Sequence, residues 1–256
     1  MRIASWNLNS VRAREARLLA WLAARQPELL CLQELKAAND DFPSAAVGAL
    51  GYQAAVHGQR TYNGVAILSR EPLAEVEKGF GDGDDDAQAR VISARVGGIR
   101  VVCAYFPNGG EVGSEKFGYK LRWMERMRRY LERTLEKDES AVLCGDFNVA
   151  PEDRDVARPE QWKDSVLCHP EARAALARIA DLGLVDTFRR HHSEGGHYSW
   201  WDYRMLGFPK NNGLRIDHIF ATEPLAARCS SAEIDRNERK GKQPSDHAPV
   251  LATFSQ

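Results

Sequence analysis

The chain has 256 residues, 43% hydrophobic and 28% charged, with a net charge of −1. This is ordinary globular composition, and a chain of this size buries roughly 75% of its unfolded surface, so it needs no disulfide or metal staples. The balance excludes a chain coated in positive charge; it leaves nucleic-acid binding open, because the distribution of charge decides that.

Apolar runs of strand length recur in order: Arg2–Trp6, Leu29–Leu32, Gly64–Leu68, Val91–Val96, Arg100–Phe106, Ala141–Cys144, Leu214–Ala221 and Ala248–Phe254. Several are apolar at consecutive positions, which predicts strands covered on both faces. Helices are predicted between them. Arg14–Arg25 stops ahead of Pro27, which cannot continue a helix. Lys116–Lys137 has apolar residues at 117, 121, 124, 127, 131 and 135, at spacings of three and four. Glu171–Leu182 lies between Pro170 and Gly183. Two sheets packed face to face with helices outside satisfy the two-sided burial; strand order stays open. No repeat or low-complexity linker interrupts the chain, so 1–256 is expected to be a single domain.

The five cysteines are odd in number and form no C-x-x-C pair. Buried reduced thiols of a cytosolic protein are expected, not a zinc site. No signal-peptide pattern and no apolar stretch of membrane-spanning length is present, so a cytoplasmic protein without membrane contact is expected. Acidic density sits at Asp82, Asp84, Asp85 and Asp86. The arginines between 122 and 133 fit the wet face of a helix. Arg236, Arg239, Lys240 and Lys242 form a basic loop before the last motif and are candidates for phosphate contact.

The polar residues that end the apolar runs carry the chemistry. Asp146 and Asn148 follow the strand AVLC at i, i+2, so on extended chain both point to one spot; a plain turn is the competing reading. Asp246-His247 precedes the closing strand, and a histidine held by a carboxylate shuttles protons or stabilises an anion. Asp217, a lone carboxylate in an apolar strand, is the better orienting partner for that ring; a structural pair with Arg215 is its alternative. His218 points to the opposite face and is assigned a structural role. Glu34 ends the second run and is a hard oxygen donor of the kind Mg²⁺ prefers. Asn7 and Asn9 follow the first strand, and Tyr105 ends VVCAY with a hydroxyl to offer phosphate. Gathered at one rim, these groups predict a metal-assisted phosphodiesterase centre built from distant pieces of chain. No G-x-S-x-G elbow, P-loop or H-E-x-x-H competes.

The ordered set Ser5-Trp6-Asn7-Leu8-Asn9, Leu32-Gln33-Glu34-Leu35-Lys36, Tyr62-Asn63-Gly64-Val65-Ala66, Gly145-Asp146-Phe147-Asn148, Tyr198-Ser199-Trp200-Trp201-Asp202-Tyr203-Arg204, Gly213-Leu214-Arg215-Ile216-Asp217 and Ser245-Asp246-His247-Ala248-Pro249 resembles the exonuclease III family of abasic-site endonucleases, within the DNase I-like endonuclease/exonuclease/phosphatase superfamily. The resemblance spans essentially the whole chain. It implies a four-layer α/β sandwich of two mixed sheets with the site at one rim. It implies Mg²⁺ or Mn²⁺ held at Glu34, with Asn9 and Asp246 near the metal. Asp217 would orient His247, Asn7, Tyr105 and Asn148 would contact the scissile phosphate, and Asp146 would position or deprotonate the attacking water. Trp200 and Leu214 would line a pocket for the abasic sugar, with Arg215 beside them on the substrate side. The partner implied is double-stranded DNA with abasic sites or 3′ ends, and the enzyme is expected to be a monomer. The stretch 155–170, with Trp162, Leu167, Cys168 and His169, departs from the best-known bacterial members and has some likeness to a branch specialised for 3′-end trimming. A 3′→5′ exonuclease with little abasic incision is therefore the alternative enzyme. A non-catalytic nucleic-acid-binding regulator on the same fold is the alternative of another class.

Overall fold

The computed structural model describes residues 1–84, 87–136 and 138–255. In chain order the first half carries β1 (Arg2–Asn7), α1 (Val11–Arg25), β2 (Leu29–Gln33), α2 (Ser44–Ala49), β3 (Gln53–His57), β4 (Val65–Ser69), β5 (Ala74–Lys78), β6 (Val91–Val96) and β7 (Ile99–Tyr105). The second half carries α3 (Glu115–Thr134), β8 (Ala141–Asp146), α4 (Pro159–Trp162), α5 (Pro170–Ala180), β9 (Leu184–Asp186), β10 (Asp217–Thr222), α6 (Glu223–Ala226), β11 (Cys229–Ile234) and β12 (Val250–Phe254).

The strands form two six-stranded mixed sheets, ordered β11-β12-β1-β2-β4-β3 and β5-β6-β7-β8-β10-β9. One parallel pair sits at the centre of each, β1 with β2 and β7 with β8. The sheets face each other across an apolar layer that includes Ile3, Cys31, Ile67, Ile92, Val101, Cys144 and Ile219. Helix α1 and Tyr52 cover the outside of the first sheet. Helices α3 and α5 cover the outside of the second, through Phe117, Met124, Met127, Leu131, Leu176 and Ile179. The result is the expected four-layer α/β sandwich. The central strands are buried at nearly every position because a layer lies on each face.

Local chemistry sets the helix ends. Ser10 Oγ accepts from the Ala13 N–H at 3.4 Å and starts α1 three residues before the predicted Arg14. Gln26 adopts the left-handed conformation just before Pro27 and stops it. Ser114 caps α3. That helix ends at Thr134, and the predicted final residue, Lys137, lies outside the described residues, as do Asp85 and Asp86 of the acidic run. The wet face of α3 carries the expected ion pairs, with Arg128 and Arg129 on Glu125 and Arg126 on Asp82.

The four strands absent from the sequence reading, β3, β5, β9 and β11, are the four sheet edges. An edge strand needs no two-sided apolar burial, and the β5 sequence AEVEK is exposed throughout. The predicted strand Leu214–Ala221 begins at Asp217; Leu214 makes only isolated bridges, to Val156 and Trp200.

Candidate active site

Strands β1, β2, β7 and β8 end, and β10 begins, at one rim of the sandwich, which places Asn7, Glu34, Tyr105, Asp146 and Asp217 there. Parallel pairing places Tyr105 opposite Asp146, and antiparallel pairing places Asp217 opposite Asp146. Gly145 makes this possible. A Cβ at that position would stand 1.8 Å from the Ala104 carbonyl oxygen of β7, and its φ of +151° lies in a region that L side chains rarely adopt. Beyond the strand ends, Asn9, Glu34 and Asn148 all have φ near +50°, and this strained left-handed backbone turns their side chains into the rim.

The Asn7 amide bridges the two sheets, donating to Glu34 Oε1 and Asp146 Oδ2, each at 2.9 Å. The Tyr105 hydroxyl also donates to Glu34 Oε1, at 2.9 Å. Lys36 Nζ lies 2.9 Å from Glu34 Oε2 and 2.6 Å from Asn9 Oδ1. Asn9 in turn donates to Asp246 Oδ1, and Trp200 Nε1 donates to Asp246 Oδ2 at 3.0 Å. Asn148 gives its backbone N–H and its amide to Asp146. His247 Nδ1 lies 2.8 and 3.1 Å from the two Asp217 carboxylate oxygens, and its Nε2 lies 3.8 Å from Asp146 Oδ2.

Electrostatics follow from this crowding. Burial disfavours a charged imidazole at His247, yet Asp217 and Asp146 outweigh it and push the pKa up to about 10. Burial pushes Asp146 up to about 7; His247 opposes the rise, while Asp217 and Glu34 add to it. Glu34 is also penalised by burial, but Lys36 and the Asn7 amide hold it below the usual carboxylate range. Burial and the neighbouring Glu34 and Asp146 carboxylates push the Tyr105 phenol well above its ordinary value, so it stays a donor. Four carboxylates thus converge on a corner where the cations in contact are Lys36 and His247. The carboxylate oxygens of Glu34 and Asp146 lie within 4.8 Å of each other, with the His247 ring nitrogen in the same cluster. Oxygen donors of this kind, in excess over nearby positive charge, fit a hard divalent cation. Asn9 and Asp246, expected near the metal, form a bonded pair linked to Glu34 through Lys36. A cleft of about 410 Å³ opens beside Glu34 and Tyr105, lined also by Tyr62, Asn63, Arg90 and Lys116.

The substrate-side expectations fare differently. Trp200 is half-buried, with its ring edge-on to Trp162 at 5.8 Å, and its backbone bridges to His247 and Leu214. Leu214 is fully buried in the core beneath it. Arg215 is a correction. It is 1% exposed, and its guanidinium is spent on Asp155 at 2.6 Å and Asp186 at 2.7 Å, so it cannot face substrate. The alternative pairing of Asp217 with Arg215 is overturned by the same contacts. In the basic loop, Arg239 is buried and bonds the Ser245 carbonyl, whereas Lys240 and Lys242 are exposed. In the divergent stretch His169 caps α5, its Nδ1 accepting from the Glu171 N–H.

His218 has the structural role expected of it. Its Nε2 bonds the Val149 carbonyl and its Nδ1 faces Arg215, so the ring is held neutral. Burial, then Arg215, lower its pKa to about 4. Between the unfolded value of about 6.5 and the folded value, only the unfolded chain takes the proton. Stability is therefore expected to fall as the pH is lowered through that window, by about 1.4 kcal/mol per pH unit at most. His218→Gln keeps a donor and an acceptor but does not titrate. Urea unfolding between pH 7 and pH 4.5 should show a flatter profile for the variant, and parallel profiles would reject the assignment.

Three supports were absent from the sequence reading. Lys120 is fully buried in α3, and its ammonium donates to the carbonyls of Asn108, Asn148 and Val166, tying the Asn148 turn to two other loops. Its place on the apolar stripe, three residues after Phe117 and four before Met124, was the available signal. Ser199 Oγ accepts from the N–H groups of Ile216 and Asp217, and Ser245 Oγ donates to the Asn7 carbonyl. A hydroxyl with distant backbone partners leaves no local signature.

The "Endonuclease/Exonuclease/phosphatase family" model matches residues 4–247. Exodeoxyribonuclease III of Haemophilus influenzae is 37% identical over 266 residues, covering 99% of this chain and all of the relative. Among solved structures, an AP endonuclease from Archaeoglobus fulgidus superposes with a TM-score of 0.97 at 40% identity, over the full length of both chains. A 3′ phosphatase from Neisseria, bound to a product DNA hairpin, superposes with a TM-score of 0.96 at 41% identity, again over both full lengths.

Proposed function

This chain belongs to the endonuclease/exonuclease/phosphatase family, and on that premise we propose that it is a DNA repair phosphodiesterase that cuts 5′ to abasic sites and processes 3′ ends. One observation carries the reading: Asn7, Glu34, Tyr105, Asp146 and Asn148 form one hydrogen-bonded set at a single rim, and the Asp217–His247 pair stands beside it with His247 Nε2 3.8 Å from Asp146. Full-length likeness to a named exodeoxyribonuclease and to a DNA-bound 3′ phosphatase supports DNA as the substrate.

Geometry and charge support the following roles. His247, with its pKa raised, is an imidazolium at neutral pH and donates from Nε2 to a phosphate oxygen. Asp146, raised toward neutrality, accepts a proton from the attacking water. Asn7, Tyr105 and Asn148 supply further donors around the phosphate. Mg²⁺, or Mn²⁺, held at Glu34 with Asn9 and Asp246 alongside, would stabilise charge developing on the phosphate oxygens. The exposed Lys240 and Lys242, and the apolar Tyr203, Met205 and Leu206 on a neighbouring exposed loop, support a surface that meets the duplex. The site draws residues from both sheets of one chain, which supports a single domain over 1–256 and a monomeric enzyme. No described helix is long and apolar enough to cross a membrane, and five unpaired buried cysteines support a reducing, cytoplasmic setting.

The deciding experiment compares a duplex containing an abasic analogue with a recessed 3′ end, each with Mg²⁺ and with EDTA. Metal-dependent cleavage of both supports the proposal. No cleavage of either by the folded protein would leave the non-catalytic binder.

A second reading, a 3′ exonuclease with little abasic incision, is favoured by one contact. Trp162, from the divergent stretch, packs edge-on against Trp200 where the abasic sugar would enter. If Trp200 forms that pocket, Trp200→Ala lowers abasic incision much more than DNA affinity, because phosphate contacts dominate affinity. Incision rate and binding are measured in parallel at fixed salt. Equal losses, or no incision by the unmodified enzyme, would move the protein to the exonuclease reading.

A further inference from the structure

A second cluster of metal-ligating side chains lies outside the active site, in the turn after β9. His192, Glu194 and His197 each offer a ligand atom, and these atoms lie within 4.8 Å of one another. His192 Nδ1 is 3.5 Å and His197 Nε2 2.8 Å from the same carboxylate oxygen, Glu194 Oε1. In a tetrahedral site with bonds of about 2.05 Å, neighbouring ligand atoms stand roughly 3.3 Å apart. The cluster is therefore close to ligating geometry without backbone movement.

Three features make it a prepared site. First, His192 Nε2 lies 2.8 Å from the Ala232 carbonyl of β11, a partner that can only accept. Nε2 thus donates to that carbonyl, which leaves Nδ1 as the ring nitrogen turned toward Glu194. A backbone carbonyl holding the far nitrogen of an imidazole is the arrangement that orients metal-bound histidines. Second, Phe188 fixes both rings, stacked on His192 at 4.3 Å and edge-on to His197 at 5.5 Å. Third, two arginines pin the turn by its main chain. Arg189 donates to the carbonyls of His192 and Glu194, and Arg154 to that of Ser193. Their charges are already paired, Arg189 with Asp155 and Arg154 with Glu152, so the site presents one carboxylate and two imidazoles to an incoming cation.

We propose that His192, Glu194 and His197 form a binding site for a borderline divalent transition-metal ion of the Zn²⁺ class, with its remaining positions open to solvent. Two imidazoles select against Mg²⁺ and Ca²⁺, which take oxygen ligands. Partial exposure of all three side chains leaves room for water at the fourth position. The site joins the edge strands of the two sheets, β9 and β11. It also lies just ahead of Ser199 and Trp200, which brace Asp217 and Asp246. An ion bound there stiffens the segment that supports the catalytic rim.

The test uses the full chain without a histidine tag, in excess Mg²⁺ to occupy the oxygen-rich active site. Zn²⁺ is titrated calorimetrically, and Co²⁺ is followed by visible absorption. The unmodified chain should bind one ion more than His197→Ala or Glu194→Gln, or bind it about 10-fold or more tightly. Zn²⁺ should raise its Tm, and Co²⁺ should give imidazole-ligand absorption that both variants lose. All three proteins should keep the same Mg²⁺-dependent cleavage, which establishes that the variants are folded. Identical isotherms, spectra and Tm shifts across the three would overturn the site and leave a hydrogen-bonded surface cluster.

Discussion

Glu34→Ala is expected to abolish divalent-metal-dependent cleavage while leaving the fold intact. Its carboxylate is where three donors converge: the Asn7 amide, the Tyr105 hydroxyl and the Lys36 ammonium. It is the oxygen donor at the corner where Lys36 already shows that a cation is favoured. A metal contributes several kcal/mol of charge stabilisation to such a reaction, so the rate should fall by about 10³-fold or more. The structural cost is small. Asn7 keeps its bond to Asp146, and Lys36, partly exposed, turns to water. Single-turnover cleavage with saturating Mg²⁺ gives the rate, and circular dichroism with thermal unfolding reports the fold. Substantial turnover by a folded variant would sink the metal assignment.

The second large effect belongs to Asp217 and His247. Both are buried, and Asp217 is held from behind by Ser199. The short contact to Nδ1 fixes the ring so that Nε2 faces Asp146. Asp217→Ala and His247→Ala are each expected to slow cleavage by several orders of magnitude, and the double variant by little more, as for groups acting as a unit. Removing one member of a buried charged pair also costs roughly 3–5 kcal/mol of stability. Asp217→Asn, which preserves shape, therefore separates folding from chemistry. In that variant the His247 pKa should drop from its raised value, because the largest force lifting it is gone. Imidazole NMR signals followed against pH would record the drop. Fully additive rate losses, or an unchanged His247 titration, would show that the two residues act separately.

Much of this protein was legible in the chain itself. Strands covered on both faces must be apolar at successive positions, so the centres of both sheets stood out, as did α1, α3 and α5 by their spacing. The residues of the candidate site were legible too, because polar groups that end apolar runs contrast with what precedes them. The edges of the sheets were not, because a strand with one neighbour can be polar and short, as β5 and β9 are. Nor were the partners of buried charges. Arg215 meets Asp155 and Asp186, which lie 60 and 29 residues away, and not Asp217 two positions on, because its guanidinium lies on the side of His218, where the sandwich brings distant loops into contact. Lys120 stands on the apolar stripe of α3, but its partners, three loop carbonyls, come together only in the fold. Periodicity and local contrast act within a few residues and are written into the sequence. Hydrogen-bond and ion-pair partners depend on which strand ends the two sheets bring to one rim, and only the tertiary structure decides that.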